Sequence, residues 1–205
     1  MIVSIKEYIE EKILPCYSTF DKAHQRDHAE KVIRESLELA RYYPVNMDMV
    51  YIIAAYHDLG LSKGRDQHHI ESGKMLLADE FLKARFTEEQ MVLMQEAIED
   101  HRASNKHEPR SIYGKIVAEA DRIINPQITL RRTVQFGLSH HPDKGKEEQY
   151  ERFCAHLLEK YAEGGYMKLW IPESSNALRL EELRLIIACP DVLKGYFDRM
   201  YEEEK

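Results

Sequence analysis

Helix signals recur along the whole chain, and they restrict its fold more than any other feature of the sequence. In a capping box, a polar side chain caps a helix start and the residue three positions later bonds back to it. Segments of alternating Val, Ile and Thr between glycine turns, which are typical of β-hairpins, are missing. The sequence therefore predicts an all-α fold. Pairs with capping-box spacing are Ser4 and Glu7, Asp27 and Glu30, and Thr87 and Gln90.

Further helices are predicted where apolar residues recur at helical spacing and where proline or glycine ends the pattern. A long polar loop is predicted from Leu138 to Lys146, between a histidine-rich front part and a C-terminal helical part. We therefore expect one domain, with a compact helical core at about 20–125 and additional C-terminal helices at about 126–205. The predicted helices cover residues 47–59, 66–84, 111–124, 127–138, 146–163, 176–188 and 191–203.

The composition is that of an ordinary globular protein, with 43% hydrophobic and 32% charged residues. The formal net charge of -7 is spread over interspersed acidic and basic residues, so we expect no binding of duplex nucleic acid. A small anionic substrate is compatible with this charge, because a local pocket can oppose it. The N-terminus lacks the apolar segment of a signal peptide, no stretch approaches a membrane span, and the cysteines have no CxxC spacing. A cytoplasmic protein without membrane association is expected.

Charged or imidazole side chains that interrupt apolar helices are the candidates for chemistry, because a buried charge without a partner is very costly. The run that ends at Gly60 is almost wholly apolar before His57 and Asp58. A later apolar helix is interrupted by Glu119 and Asp121, which lie two positions apart and therefore on different helix faces. One of these two carboxylates is expected to point inward.

Other histidines are placed to join these residues. His28 lies in the first turn of its predicted helix, where a side chain can be presented into a cleft. His101 continues an apolar stripe at steps of three and four, which places it on the core-facing side. His69 has Gly73 one turn later, which leaves space for a close approach, and the neighbouring His68 could exchange roles with it. Because several helices each carry His or Asp inward, a divalent metal site is favoured over separate hydrogen-bonded core histidines.

The order of these residues resembles the HD superfamily of metal-dependent phosphohydrolases, whose pattern is H…HD…D on separate helices. The matching residues are His28 in His-Ala-Glu-Lys-Val, the dipeptide His57-Asp58, and Asp121 in Glu-Ala-Asp-Arg-Ile. The resemblance covers roughly residues 20–125. It implies that these four side chains bind a first divalent ion and that Asp58 can bridge to a second.

The chain also resembles the branch of this superfamily that has additional histidines, some members of which hold two metals. On that resemblance, His69 and His101 would bind the second ion. The sequence departs from the fuller pattern at Arg102, where a second histidine often follows, and at Lys63, which stands farther from the HD dipeptide than in relatives. The resemblance thus implies one or two ions of Mn, Fe, Co, Ni, Mg or Zn.

The activity implied by the resemblance is hydrolysis of a phosphate mono- or diester of a nucleotide or small phosphorylated metabolite, by a metal-bound hydroxide. Asp58, Lys63 and Arg65 are the candidate catalytic residues, because the loop after the HD dipeptide should lie beside the ligands. Arginine can grip phosphate through two parallel hydrogen bonds. The candidates for that role are Arg102, Arg122, Arg131 and Arg132.

Two alternatives remain open at this point. The extended set H…HD…H…H…D also resembles di-iron oxygenases built on the same scaffold. A protein that binds a nucleotide without turnover, with a structural metal, is the other alternative. The segment that begins at Trp170, together with the closing helices, is expected to complete the core or to form a homodimer face.

Overall fold

The computed structural model describes residues 3–20, 25–105, 107–122 and 124–205. Within these ranges the chain is helical and contains no β-strand, which confirms the all-α fold class. A π-helical turn at Ile9–Ile13 and 3-10 segments at Leu14–Thr19 and Leu59–Lys63 accompany the α-helices. The α-helices are α1 Ile5–Tyr8, α2 Arg26–Ala40, α3 Met47–Tyr56, α4 His68–Ala78, α5 Glu80–Lys83, α6 Glu88–Asp100, α7 Ile112–Asp121, α8 Pro126–His140, α9 Lys146–Lys160, α10 Asn176–Ala188 and α11 Pro190–Glu204.

The described residues fall into two compact units. The first lies within Met1–Arg122 and also includes Trp170–Ser174, and the second lies within Ile123–Leu169 and Ser175–Lys205. The first unit therefore contains α1 to α7, and the second contains α8 to α11. The predicted boundary near residue 125 falls close to this division, but the return of 170–174 to the first unit was not predicted.

The first unit is built around α3, which packs against α2, α4, α6 and α7. Its apolar residues Ile52, Ile53, Ala54 and Ala55 are almost completely buried, so the helix lies in the core on most of its circumference. Burial of this apolar surface is the main favourable contribution to folding. Because α3 is central, the residues at its C-terminal end are carried into the interior of the unit.

Local capping explains where several helices begin. The capping boxes at Ser4 and at Thr87 are both formed, which confirms these two predicted starts. The predicted start at Asp27 is wrong, because α2 already begins at Arg26 and Asp27 lies within its first turn. There its carboxylate still interacts favourably with the positive end of the helix dipole. The predicted helix 66–84 is two helices, because Asp79 caps α5 by accepting a hydrogen bond from the Leu82 amide at 3.1 Å.

The second unit consists of α8 to α11 packed on one another. Its core includes Phe153 and Phe197, whose ring centroids lie 5.2 Å apart, together with Leu157 and Met200. The polar loop predicted from residue 138 is shorter than expected, because α8 continues through His140. Among the described residues, no helix combines the length and the apolar character that crossing a bilayer requires.

Candidate metal centre

Helix ends of the first unit bring imidazole and carboxylate side chains together. His28 lies in the first turn of α2, and His57 and Asp58 follow the last residue of α3. His68 begins α4, His101 follows α6, and Asp121 ends α7. A helix end leaves its side chains free to converge, whereas the middle of a core helix is surrounded by apolar neighbours. The sequence pattern of apolar runs that stop at a polar residue produces this arrangement.

The first group of side chains consists of His28, His57, Asp58 and Asp121. The His28 Nε2 atom lies 3.2 Å from Asp121 Oδ1 and 3.4 Å from His57 Nε2. The His57 Nε2 atom lies 3.3 Å from Asp58 Oδ2. Ligand atoms about 2.1 Å from a tetrahedral ion are themselves about 3.4 Å apart. The donor atoms of His28, His57 and Asp58 are therefore spaced as they would be around one cation. Asp121 lies at the edge of this set, because its Oδ1 atom is close to His28 but 3.9 Å from His57 Nε2.

The second group consists of Asp58, His68 and His101. The His68 Nε2 atom lies 3.3 Å from His101 Nε2 and 3.4 Å from Asp58 Oδ1, and His101 Nε2 lies 3.5 Å from the same oxygen. In the first group His28, His57 and Asp58 satisfy the distance requirements for a metal-holding cluster, and in the second group all three side chains do. The two groups share Asp58, whose Oδ2 faces the first and whose Oδ1 faces the second. A carboxylate in this position is able to bridge two ions.

Main-chain carbonyls orient three of the imidazole rings. The Nδ1 atoms of His57, His68 and His101 lie 2.8, 2.7 and 2.6 Å from the carbonyl oxygens of the residues three positions earlier. A carbonyl can only accept a hydrogen bond, so Nδ1 carries a proton in each ring and Nε2 is the ring nitrogen that faces the centre. This is the usual arrangement of a metal-binding histidine, in which the second ring nitrogen is held by an outer partner. The donor chemistry of both groups therefore fits divalent metal ions.

Burial and charge shift the protonation equilibria of the centre. Burial opposes protonation of His57, but the charges of Asp58 and Asp121 outweigh it and raise the pKa of His57 to about 9. Burial would raise the pKa of Asp58, yet His57 and His101 hold that pKa well below its ordinary value. The pKa of Asp121 is also lowered, because contacts with His28 and His57 outweigh its burial. Both carboxylates are therefore ionised, and a cation would neutralise them.

The structure corrects the choice between the adjacent histidines of α4. The resemblance placed His69 at the second ion, but the side chain that reaches Asp58 and His101 is His68. Successive side chains of a helix point about 100° apart, so only one of the pair can face the centre. The Nδ1 atom of His69 is buried and has no hydrogen-bond partner among the described residues. Burial, together with His101 and His68, lowers the pKa of His69 to about 4.

The basic residues predicted near the site have different surroundings in the first unit. Lys63 and Arg65 are exposed and lie just after the HD dipeptide. Arg102 donates a hydrogen bond of 2.6 Å to the Asp66 carbonyl, which connects the end of α6 to the segment before α4. Arg122 is buried and its guanidinium lies 5.9 Å from the ring centroid of Trp170.

Arg131 and Arg132 both lie on α8 in the second unit. The guanidinium of Arg131 is paired with the carboxylates of Glu203, at 2.6 Å, and Glu204. Arg132 is exposed. Because Arg131 is held by carboxylates of its own unit, its geometry favours a structural role over a grip on phosphate.

The sequence interpretation missed the side chains that support the candidate metal ligands. Tyr17 is fully buried, and its hydroxyl donates to the Ala55 carbonyl at 2.9 Å and accepts from the Asp58 amide at 3.4 Å. Ser72 accepts from the Gly60 amide at 2.8 Å. Neither residue has a local sequence signal, because each acts across a distance in the chain that periodicity does not report.

Comparisons with known proteins give one match. A family model described as the HD domain matches residues 26–125. Neither the curated proteins nor the solved structures contain a significant match to the chain. The matched range includes every side chain of the two groups, whereas Tyr17 and the segment Trp170–Ser174 lie outside it.

Proposed function

Because residues 26–125 are an HD domain, we propose that this protein is a metal-dependent phosphohydrolase acting on a phosphate mono- or diester. Its substrate class is a nucleotide or a small phosphorylated metabolite. The HD domain belongs to a superfamily of metal-dependent hydrolases. The observation that carries the proposal is the carboxylate of Asp58, with one oxygen facing each group of histidines.

The side chains that would hold the ions follow from the geometry. His28, His57, Asp121 and the Oδ2 atom of Asp58 would hold one ion, and His68, His101 and the Oδ1 atom of Asp58 would hold another. When bound, such ions supply Lewis acidity to phosphoryl oxygens and lower the pKa of a water molecule. The donor set contains nitrogen and oxygen and no thiolate, which suits Mn, Fe, Co, Ni or Zn better than it suits Mg.

The residues of the chain would contribute orientation and charge. The carbonyl contacts of His57, His68 and His101 leave Nε2 of each ring free to bind an ion, and the ionised carboxylates would balance the positive charge of bound ions. Lys63 and Arg65 lie on the exposed turn after Asp58, where they would bind the phosphoryl oxygens of the substrate. Positive side chains placed there stabilise the negative charge that develops during phosphoryl transfer.

Phosphate release tests this function directly. The purified protein should release phosphate from an aryl phosphate or from nucleotides, or an aryl alcohol from a diaryl phosphate, when Mn²⁺, Co²⁺, Ni²⁺ or Fe²⁺ is supplied. His57→Ala should lose this activity and bind less metal, because it removes a ligand of the first group. His140→Ala, which changes an exposed histidine of the second unit, is the matched control and should retain both. A metal-loaded protein that hydrolyses none of these phosphate esters would contradict the proposal.

The pair of groups around one carboxylate also fits a second candidate, a di-iron oxygenase. The shared Asp58 favours it, since such chemistry needs two ions close together. Protein purified without oxygen would then contain two irons and consume oxygen on addition of substrate. Iron-loaded protein that hydrolyses phosphate esters and consumes no oxygen would exclude this candidate.

A further inference from the structure

The turn after the HD dipeptide is in close contact with the first turn of α4. A Cβ atom added at Gly60 would lie 2.1 Å from the carbonyl oxygen of His68 and 2.6 Å from the amide nitrogen of Ser72. Both neighbours are backbone atoms, so neither can move aside without moving the helix. Glycine at this position therefore allows the backbone of α4 to approach the segment that carries Asp58.

A single buried hydroxyl joins these two backbones. Ser72 is completely buried, and its Oγ atom accepts a hydrogen bond of 2.8 Å from the amide of Gly60. Ser72 lies four residues after His68, so both side chains are on the same face of α4. The contact thus holds the helix that presents His68 against the chain only two residues after Asp58.

We propose that Ser72 is a positioning residue for His68 and sets the affinity of the second metal position. Its hydroxyl fixes the rotation and the distance of the α4 start, so that His68, and not His69, reaches Asp58 and His101. Without the hydroxyl, the amide of Gly60 loses its partner and the helix start is no longer held in that register. This inference rests on the proposed metal-dependent function.

Removal of one hydroxyl tests the proposal. Changes to the outer partners of metal ligands typically reduce metal affinity by roughly 10- to 100-fold. Ser72→Ala should reduce the affinity for the second ion by that factor and leave the affinity for the first ion unchanged. The readout is calorimetric titration of metal-stripped protein with Co²⁺, together with the visible absorption of Co²⁺ in each position. Ser72→Thr, which keeps the hydroxyl, should retain both ions.

Ser36→Ala is the matched control. Ser36 lies on α2 of the same unit, is completely buried, and has a hydroxyl without a hydrogen-bond partner among the described residues. Its removal deletes a buried hydroxyl without touching the centre, so binding of both ions should equal that of the unchanged protein. Thermal unfolding of each metal-stripped variant would show that it is folded.

Several outcomes would overturn the inference. Equal binding of the second ion by Ser72→Ala and the unchanged protein would do so, as would an equal loss at both positions, which indicates a purely structural role. If Ser72→Ala does not fold, a folded Ser72→Thr that loses the second ion overturns it. If the protein without substitutions binds only one ion, the inference about Ser72 is contradicted but the proposed function is not. If it binds no ion, the proposed function is contradicted.

Discussion

At the scale of single residues, Asp58 differs from the other side chains of the centre because both groups depend on it. Its two carboxylate oxygens face different histidine pairs, at 3.3 Å from His57 Nε2 and 3.4 Å from His68 Nε2. Each histidine contributes to one group only. Loss of a histidine should therefore affect one ion, and loss of Asp58 should affect both.

We expect Asp58→Asn to abolish binding of both ions. The substitution keeps the shape of the side chain but removes the negative charge that a divalent ion requires. Metal analysis after equilibration with Mn²⁺ or Co²⁺ would measure the loss. Asp48→Asn is the control, because Asp48 is exposed at the start of α3, at the end of the helix far from Asp58. Retention of two ions by the Asp58 variant would show that neither ion depends on the Asp58 carboxylate.

The adjacent histidines of α4 provide a second test. His68→Ala should lose the second ion, because its Nε2 atom is one of the three donor atoms of that group. His69→Ala should keep both ions, since its ring faces another side of the helix. Counting Co²⁺ ions bound by each folded variant would measure the difference. The reverse result would show that α4 is rotated and that the original expectation for His69 was right.

The identity of the ligands could be predicted only as far as local patterns reach. His57 and Asp58 follow an apolar run. Together with His28 before them and Asp121 after them they give the order H…HD…D, which was sufficient to select these four residues as candidates. The choice between His68 and His69 depends on the rotation of α4. The contact between Gly60 and Ser72 sets that rotation, and no periodic pattern encodes it.

At the scale of helices, two tyrosine hydroxyls bind the residue between α4 and α5, one from the N-terminal segment and one from the end of α3. The hydroxyls of Tyr8 and Tyr56 both donate to Asp79 Oδ2 at 2.6 Å. Burial, reinforced by Asp79, raises the pKa of Tyr8 to about 12 and raises the pKa of Tyr56 still further. The segment before α2 thus depends on the protonated phenol of Tyr8 for part of its attachment.

These pKa shifts predict a loss of stability in alkaline solution. An unfolded chain releases its phenol protons near pH 10, whereas folded Tyr8 retains its proton up to about pH 12. The contribution of the Tyr8 hydrogen bond to the free energy of unfolding is therefore complete below pH 10 and falls as the pH rises from 10 towards 12. Urea unfolding at several pH values would measure this fall. Tyr8→Phe should make the free energy of unfolding depend less steeply on pH in this range. Tyr42→Phe, at an exposed position, should leave that dependence unchanged.

Helix boundaries were predictable where capping is local. Ser4 and Thr87 cap the helices that their neighbours three positions later predict, because both partners of a capping box lie in one turn. The break at Asp79 was missed, since the apolar pattern continues across it. Its carboxylate is held by two tyrosines that lie far away in the sequence, and only the folded chain shows them.

At the scale of the whole molecule, the segment Trp170–Ser174 completes the core of the first unit. Ile171 is 2% exposed and belongs to the same buried cluster as α3. The Trp170 amide donates to Glu119 Oε2 at 2.7 Å, and the Tyr43 hydroxyl donates to Glu173 Oε2 at 2.7 Å. The sequence left open whether this region completes the core or forms a dimer face, and its few residues have no periodicity that would decide.

We expect Ile171→Ala to destabilise the first unit by about 2–5 kcal/mol, because it leaves a cavity in a packed core. The fluorescence of Trp170, the single tryptophan of the chain, reports on unfolding beside the substituted residue. Ile128→Ala is the control and should change stability by less than about 0.5 kcal/mol, because Ile128 is 48% exposed. An equal effect of both substitutions would place Ile171 outside the core.

The return of the chain to its first unit has a consequence for biosynthesis. A ribosome delivers residues in order, and nascent domains commonly begin to fold before translation ends. Here the helices that carry the candidate metal ligands emerge early, yet Ile171 is translated only after α8 and α9 have been made. A nascent chain that stops before this segment has an unfilled gap among its apolar side chains. The matched region 26–125, expressed in isolation, should for the same reason be prone to aggregation.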